Sequence, residues 1–190
     1  MKPTKDKVSS RFAVRDRGAF LFTRDDGATA RTALEAHVRA SGPGSLLIID
    51  FVDVRAMTNS FTDEFLGKFY LSLAAGDYGV AGVQLVGLDD ETRDAVTACL
   101  ERRKQIAVDG DGAILLGDAA LLADTYEHAR QLHSFRATSL AEAMSVSPSN
   151  ANNRLKRLVE AGALQRERTS GPDGGGKEFV YTLPGTSQDE

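Results

Sequence analysis

Four consecutive aliphatic residues, Leu46, Leu47, Ile48 and Ile49, end abruptly at Asp50, and this run constrains the fold more than any other. A short unbroken apolar run is the pattern of a strand buried on both faces, since a half-exposed strand alternates with polar residues. Such a strand needs helices to cover its sheet, and the flanking sequence supplies them. Ala30, Ala33, Leu34, His37 and Val38 recur at helical spacing and predict a helix over 28–40, stopped by Gly and Pro within 41–44. Phe61, Phe65, Leu66, Phe69 and Leu73 form the apolar face of a second helix starting near Ser60. A strand is expected over 80–88 and a helix over 89–103. Asp89 is placed as its N-cap, with Arg102, Arg103 and Lys104 near its C-terminal end, each suited to the helix dipole.

Upstream, the runs 11–14 and 19–23 are split by Arg17-Gly18 and read as a hairpin. Downstream, 106–108 and 113–116 form a last strand region around Asp109-Gly110-Asp111-Gly112, and a helix follows from Gly117-Asp118 to about Leu132. After a polar tail over 1–10, residues 11–132 therefore predict an α/β domain, a mixed sheet with helices over it.

The pattern changes after His133. A short helix over 138–144, a turn at Ser145-Val146-Ser147, a helix over 148–161 stopped by Gly162, and strands over 164–168 and 179–183 follow in order. Helix, turn, helix and hairpin over 133–184 predict a winged helix-turn-helix, with 185–190 as a tail. The helix over 118–132 is available to both domains.

Composition narrows the function. The 190 residues carry a net charge of −4, so any nucleic-acid contact must come from a local patch. The one cysteine, Cys99, excludes an internal disulfide and a Cys-rich zinc site. With no apolar leader and no membrane-length apolar run, the expectation is a cytoplasmic protein without membrane contact.

The segment from Leu46 to Tyr70, LLIIDFVDVRAMTNSFTDEFLGKFY, resembles the STAS-like family of unknown function, a relative of the anti-sigma-factor antagonists. The resemblance covers about 11–130. It implies a serine at the helix start that a partner ATPase-like kinase phosphorylates, and by position that is Ser60. The residues depart from the antagonist pattern at Thr58-Asn59 and Phe61, and Asp63 and Glu64 in the first turn oppose a phosphate. Read from the residues, Ser60 is first an N-cap, in a capping-box-like pattern with Asp63.

The segment from Thr138 to Glu167 resembles the winged helix-turn-helix of bacterial repressors. Ala151, Leu155, Leu158 and Gly162 share one helical stripe and are expected to face the core. Asn150, Asn153 and Arg157 project from the other side, flanked by Ser149 and Arg154. Asn and Arg read adenine and guanine edges in the major groove. Ser147 and Ser149 at the helix start suit phosphate, and Arg168 and Lys177 at the base of the hairpin suit the DNA backbone. Residues 133–184 hold seven Lys/Arg and five Asp/Glu, a net of +2 against −4 for the whole chain. Winged helices also dock proteins.

Other motifs carry less. Gly171 to Lys177 matches the start of a phosphate-binding loop, but Glu178 follows where a magnesium-holding Ser/Thr is required. His37, His128 and His133 are dispersed, so neither metal nor cofactor is expected. Cys99 falls on an apolar helix face as a core thiol, and Asp50 is assigned to the strand end. No catalytic constellation assembles. The expectation is a non-enzymatic regulator that binds double-stranded DNA, its STAS-like domain sensing, dimerising or docking a partner. The alternative is a partner-switching adaptor regulated at Ser60, with the winged helix docking protein. Operator, partner and oligomeric state stay open.

Overall fold

The computed structural model describes residues 9–170 and 177–185. The chain is mixed α/β. Strands β1 (Ser9–Ala13), β3 (Leu46–Asp50), β5 (Gly82–Val86), β6 (Ile106–Asp109) and β7 (Ile114–Gly117) make a sheet of order β1-β3-β5-β6-β7. The first four run parallel and β7 returns antiparallel on β6.

The helices α1 (Arg24–Ser41) and α4 (Asp90–Arg102) start where their caps dictate. Thr23 accepts from the Asp26 N–H, and Asp89 accepts from the Thr92 N–H. Between them, α2 (Asn59–Thr62) passes through one wide π turn, Asp63–Gly67, into α3 (Lys68–Ala75). Where α1 crosses α2 the helices nearly touch: a Cβ on Gly27 would lie 2.7 Å from the Phe61 carbonyl oxygen. Leu34, Leu47, Ile49, Phe61, Phe65, Phe69, Leu85, Val96 and Leu100 fill the core between these helices and the sheet.

Two expectations about the strands change. The runs 11–14 and 19–23 are not a hairpin. β1 lies beside β3, and β2 (Phe20–Leu21) pairs in parallel with β4 (Ala56–Met57). A 3-10 turn over Val14–Arg17 separates them, and burying Val14 completely, with Phe12 alongside, draws the chain onto the sheet rather than back on itself. Nor is β3 buried on both faces. Leu47 and Ile49 are buried, but Leu46 and Ile48 are half-buried. The doubly buried strand is β6: Ala107 packs into the first core, whereas Ile106 and Val108 pack into a second.

That second core belongs chiefly to the C-terminal part, made of α5 (Ala123–Leu132), β8 (Ser134–Arg136), α6 (Ala137–Ala143), α7 (Pro148–Glu160), β9 (Gln165–Ser170) and β10 (Lys177–Thr182). Leu122, Tyr126, Phe135, Leu140, Leu155, Leu158, Leu164 and Tyr181 close around Ile106 and Val108. The three strands form an antiparallel sheet of order β8-β10-β9, so β8, which hydrophobic pattern did not reveal, supplies its third strand. Gly162 ends α7 at φ 71°, a left-handed stop that a side chain would strain, with the Ala163 N–H returning to the Leu158 carbonyl. Its own carbonyl accepts from the Val83 N–H at 3.0 Å, so the end of α7 bonds directly to β5.

Candidate nucleic-acid interface

Local sequence sets the direction of α7. Pro148 opens the helix, where a missing N–H costs nothing. Ser147 is its N-cap, its hydroxyl accepting from the Asn150 N–H at 3.3 Å. Ala151, Leu155 and Leu158 are buried on one stripe, as their spacing predicts, and Gly162 is buried beyond the end. The opposite side carries Ser149, Asn153 and Lys156, all exposed. Asn150 and Asn152 flank this face and are also exposed.

The arginines expected on that face, Arg157, and flanking it, Arg154, are already engaged. Arg154 donates to the Asn150 side chain at 2.6 Å and to the Thr125 hydroxyl on α5 at 3.1 Å. Arg157 reaches the Asp118 carboxylate at 3.0 Å and its carbonyl at 3.4 Å. Spacing alone put them outward; their length lets them fold along the helix flank to partners far away in sequence. Lys156, which has no sequence signal of its own, sits near Asn153 on the helix with its ammonium 3.7 Å from Glu160. Its outward position was available from helical spacing, but a lysine there reads as an ordinary solvated residue.

Arg168 is exposed on β9, opposite Phe179 in register, and Arg166 lies over the Phe179 ring at 4.6 Å, a cation–π distance. A cleft of about 190 Å³ separates the start of α6 from β10, lined by Arg136, Thr138, Asn152, Glu178, Phe179 and Tyr181. Arg136 and Glu178 are paired across it at 3.1 Å. The side chain of Lys177 and the loop 171–176 lie outside the described residues.

Ser60 lies elsewhere, on the α/β sheet's helical layer. It is not the N-cap: Thr58 takes that role, accepting from the Phe61 N–H at 3.2 Å and donating to the Phe22 carbonyl at 2.6 Å. The long-range bond to Phe22, the residue after β2, accompanies the choice of Thr58 over Ser60, which sequence spacing cannot register. Ser60 is exposed, in a cleft of about 290 Å³ lined by Arg24, Asn59, Asp63 and Arg102. Both first-turn acids are neutralised. Hydrogen bonds from Arg103 hold the Asp63 carboxyl below the usual carboxylate range, and Lys68, then Arg24, do the same for buried Glu64.

Other polar groups have structural partners. Asp50 pairs with Arg11 at 2.5 Å and accepts from the Val52 N–H at 2.9 Å. Cys99 is buried, and burial pushes its thiol pKa up, away from a nucleophilic thiolate. His37 contacts the Ser10 hydroxyl and packs edge-on against Phe12. His128 and His133 contact the carbonyls of Asp124 and Gln131. Among the described residues no group of three or more His, Cys, Asp or Glu side chains is placed to hold a metal ion. No described helix is long and apolar enough to cross a membrane.

The class that fold and site define is a mixed α/β protein with a helical, hairpin-bearing C-terminal part. No protein-family model, curated protein or solved structure matches the chain.

Proposed function

We propose that the chain is a non-enzymatic, DNA-binding regulator of the cytoplasm, in which a winged helix-turn-helix reads duplex DNA and a STAS-like α/β part receives the signal. The observation that carries this reading is the outward face of α7, where Ser149, Asn153 and Lys156 stand exposed on the helix that precedes the β9–β10 hairpin. The order α5, β8, α6, α7, β9, β10, with β8 paired to β10, supports the winged-helix reading. Asparagine offers the paired donor and acceptor that adenine requires, and Lys156 and Arg168 offer phosphate contacts.

Titration of full-length protein into labelled duplexes across a salt series tests it. Asn153→Ala is expected to flatten the preference among sequences, by about 1–3 kcal/mol at the base it reads. Lys156→Ala is expected to weaken all sequences alike and to lower the salt slope by about 1. Absence of binding to every duplex at low salt, including the DNA upstream of its own coding sequence, would defeat the proposal.

A second reading, partner switching through Ser60 by an ATPase-like kinase, is favoured by the arginines around that serine. With Asp63 and Glu64 already paired, Arg24 and Arg102 line the space a phosphate on Ser60 would occupy. Phosphoserine installed at position 60 is then expected to raise the thermal midpoint, and Arg24→Ala with Arg102→Ala to remove the gain. A lower midpoint would mean that the carboxylates still dominate.

A further inference from the structure

Arg157 sits on the flank of α7's outward face, and its partner does not belong to the same unit. Asp118 immediately follows β7, the edge strand of the large sheet. Its position is set by packing. Gly117 holds φ 83°, and a Cβ there would lie 2.5 Å from the Gln105 carbonyl oxygen and 2.6 Å from the Leu100 Cβ. The Asp118 N–H then donates to that same Gln105 carbonyl at 2.9 Å. Asp118 is thus a fixed post on the α/β part, and its carboxylate takes Arg157 at 3.0 Å.

We propose that Asp118 is a built-in competitor for DNA: it occupies Arg157 as a phosphate would, and so lets the α/β part restrain the reading helix. The proposal rests on the DNA-binding reading above. Whether DNA can displace Asp118 turns on the strength of the pair. The two side chains keep 37% and 36% of their exposure, and an ion pair so open to water is weak. A phosphate backbone, which also gains from counterion release, displaces it. A deeply buried pair would instead be a permanent strut. Any movement of the β7 edge relative to α7 alters how firmly Arg157 is held, which provides a route for a signal.

The test uses full-length protein, a duplex of mixed sequence and a salt series. Asp118→Asn, which keeps size and removes charge, is expected to tighten binding about 3–10-fold at low salt and to steepen the salt slope by about 1. Asp118→Glu is expected to keep the wild-type affinity. In an Arg157→Ala background the gain from Asp118→Asn should disappear. A wild-type protein that binds DNA while Asp118→Asn matches it in affinity and slope would overturn the latch and leave DNA binding standing. An equal gain with and without Arg157 would also overturn it, since simple repulsion of DNA by Asp118 would then suffice. If wild type and Asp118→Asn, both folded by thermal melt, bind no duplex, latch and DNA reading fall together.

Discussion

Excised as a separate chain, residues 118–190 are expected to stay largely unfolded, although they hold every element of the C-terminal part. The reason is the strand they leave behind. Ile106 and Val108 on β6 are each 2% exposed and complete the second core. Losing both removes about 1.5–3 kcal/mol apiece of apolar burial. A core in a piece of roughly 70 residues rarely supplies more than about 3–5 kcal/mol in all. The excision also removes the Val83 N–H that the Gly162 carbonyl accepts, and exposes the surface where Pro184 abuts Gly82. Far-UV circular dichroism and amide proton dispersion of the fragment decide the matter. A cooperative melt and native-like dispersion would show that the C-terminal part needs nothing from β6.

Leu155→Ala in the full chain is expected to cost about 2–5 kcal/mol, the range for deleting a buried leucine where surroundings relax only partly. Leu155 is fully buried in the second core. Because β6 carries one core on each face, the loss should not stay local. The expected outcome is one transition at a lower denaturant midpoint, reported alike by probes in both parts. A biphasic curve, with the α/β part melting at its wild-type midpoint, would show that Ile106 and Val108 do not couple the two cores.

Much of the secondary structure was legible because its causes are local. Asp89 caps α4, Gly162 stops α7, Pro148 opens it, and the Ala151–Leu155–Leu158 stripe turns inward, all as neighbouring residues dictate. The misread elements depended on distant partners. β8 is three residues long and exists because β10 pairs with it. Ser60 loses the cap to Thr58, whose hydroxyl also reaches the Phe22 carbonyl just after β2. The hairpin expected near the N-terminus gives way to β1 against β3 and β2 against β4, pairings that close only when the sheet assembles.

The candidate interface divides along the same line. Helical periodicity alone established that Asn153 and its neighbours lie opposite the core stripe, since 3.6 residues per turn leaves no other arrangement. Tertiary structure decided which of those side chains remain available. Arg154 and Arg157 have reach enough to find Thr125 and Asp118, residues that lie 29 and 39 positions away in sequence. Lys156 stays at the surface beside Asn153. A short side chain goes where its helix points it, and that is written in the sequence. A long cation goes to the nearest carboxylate or hydroxyl, and which one that is depends on the folded chain.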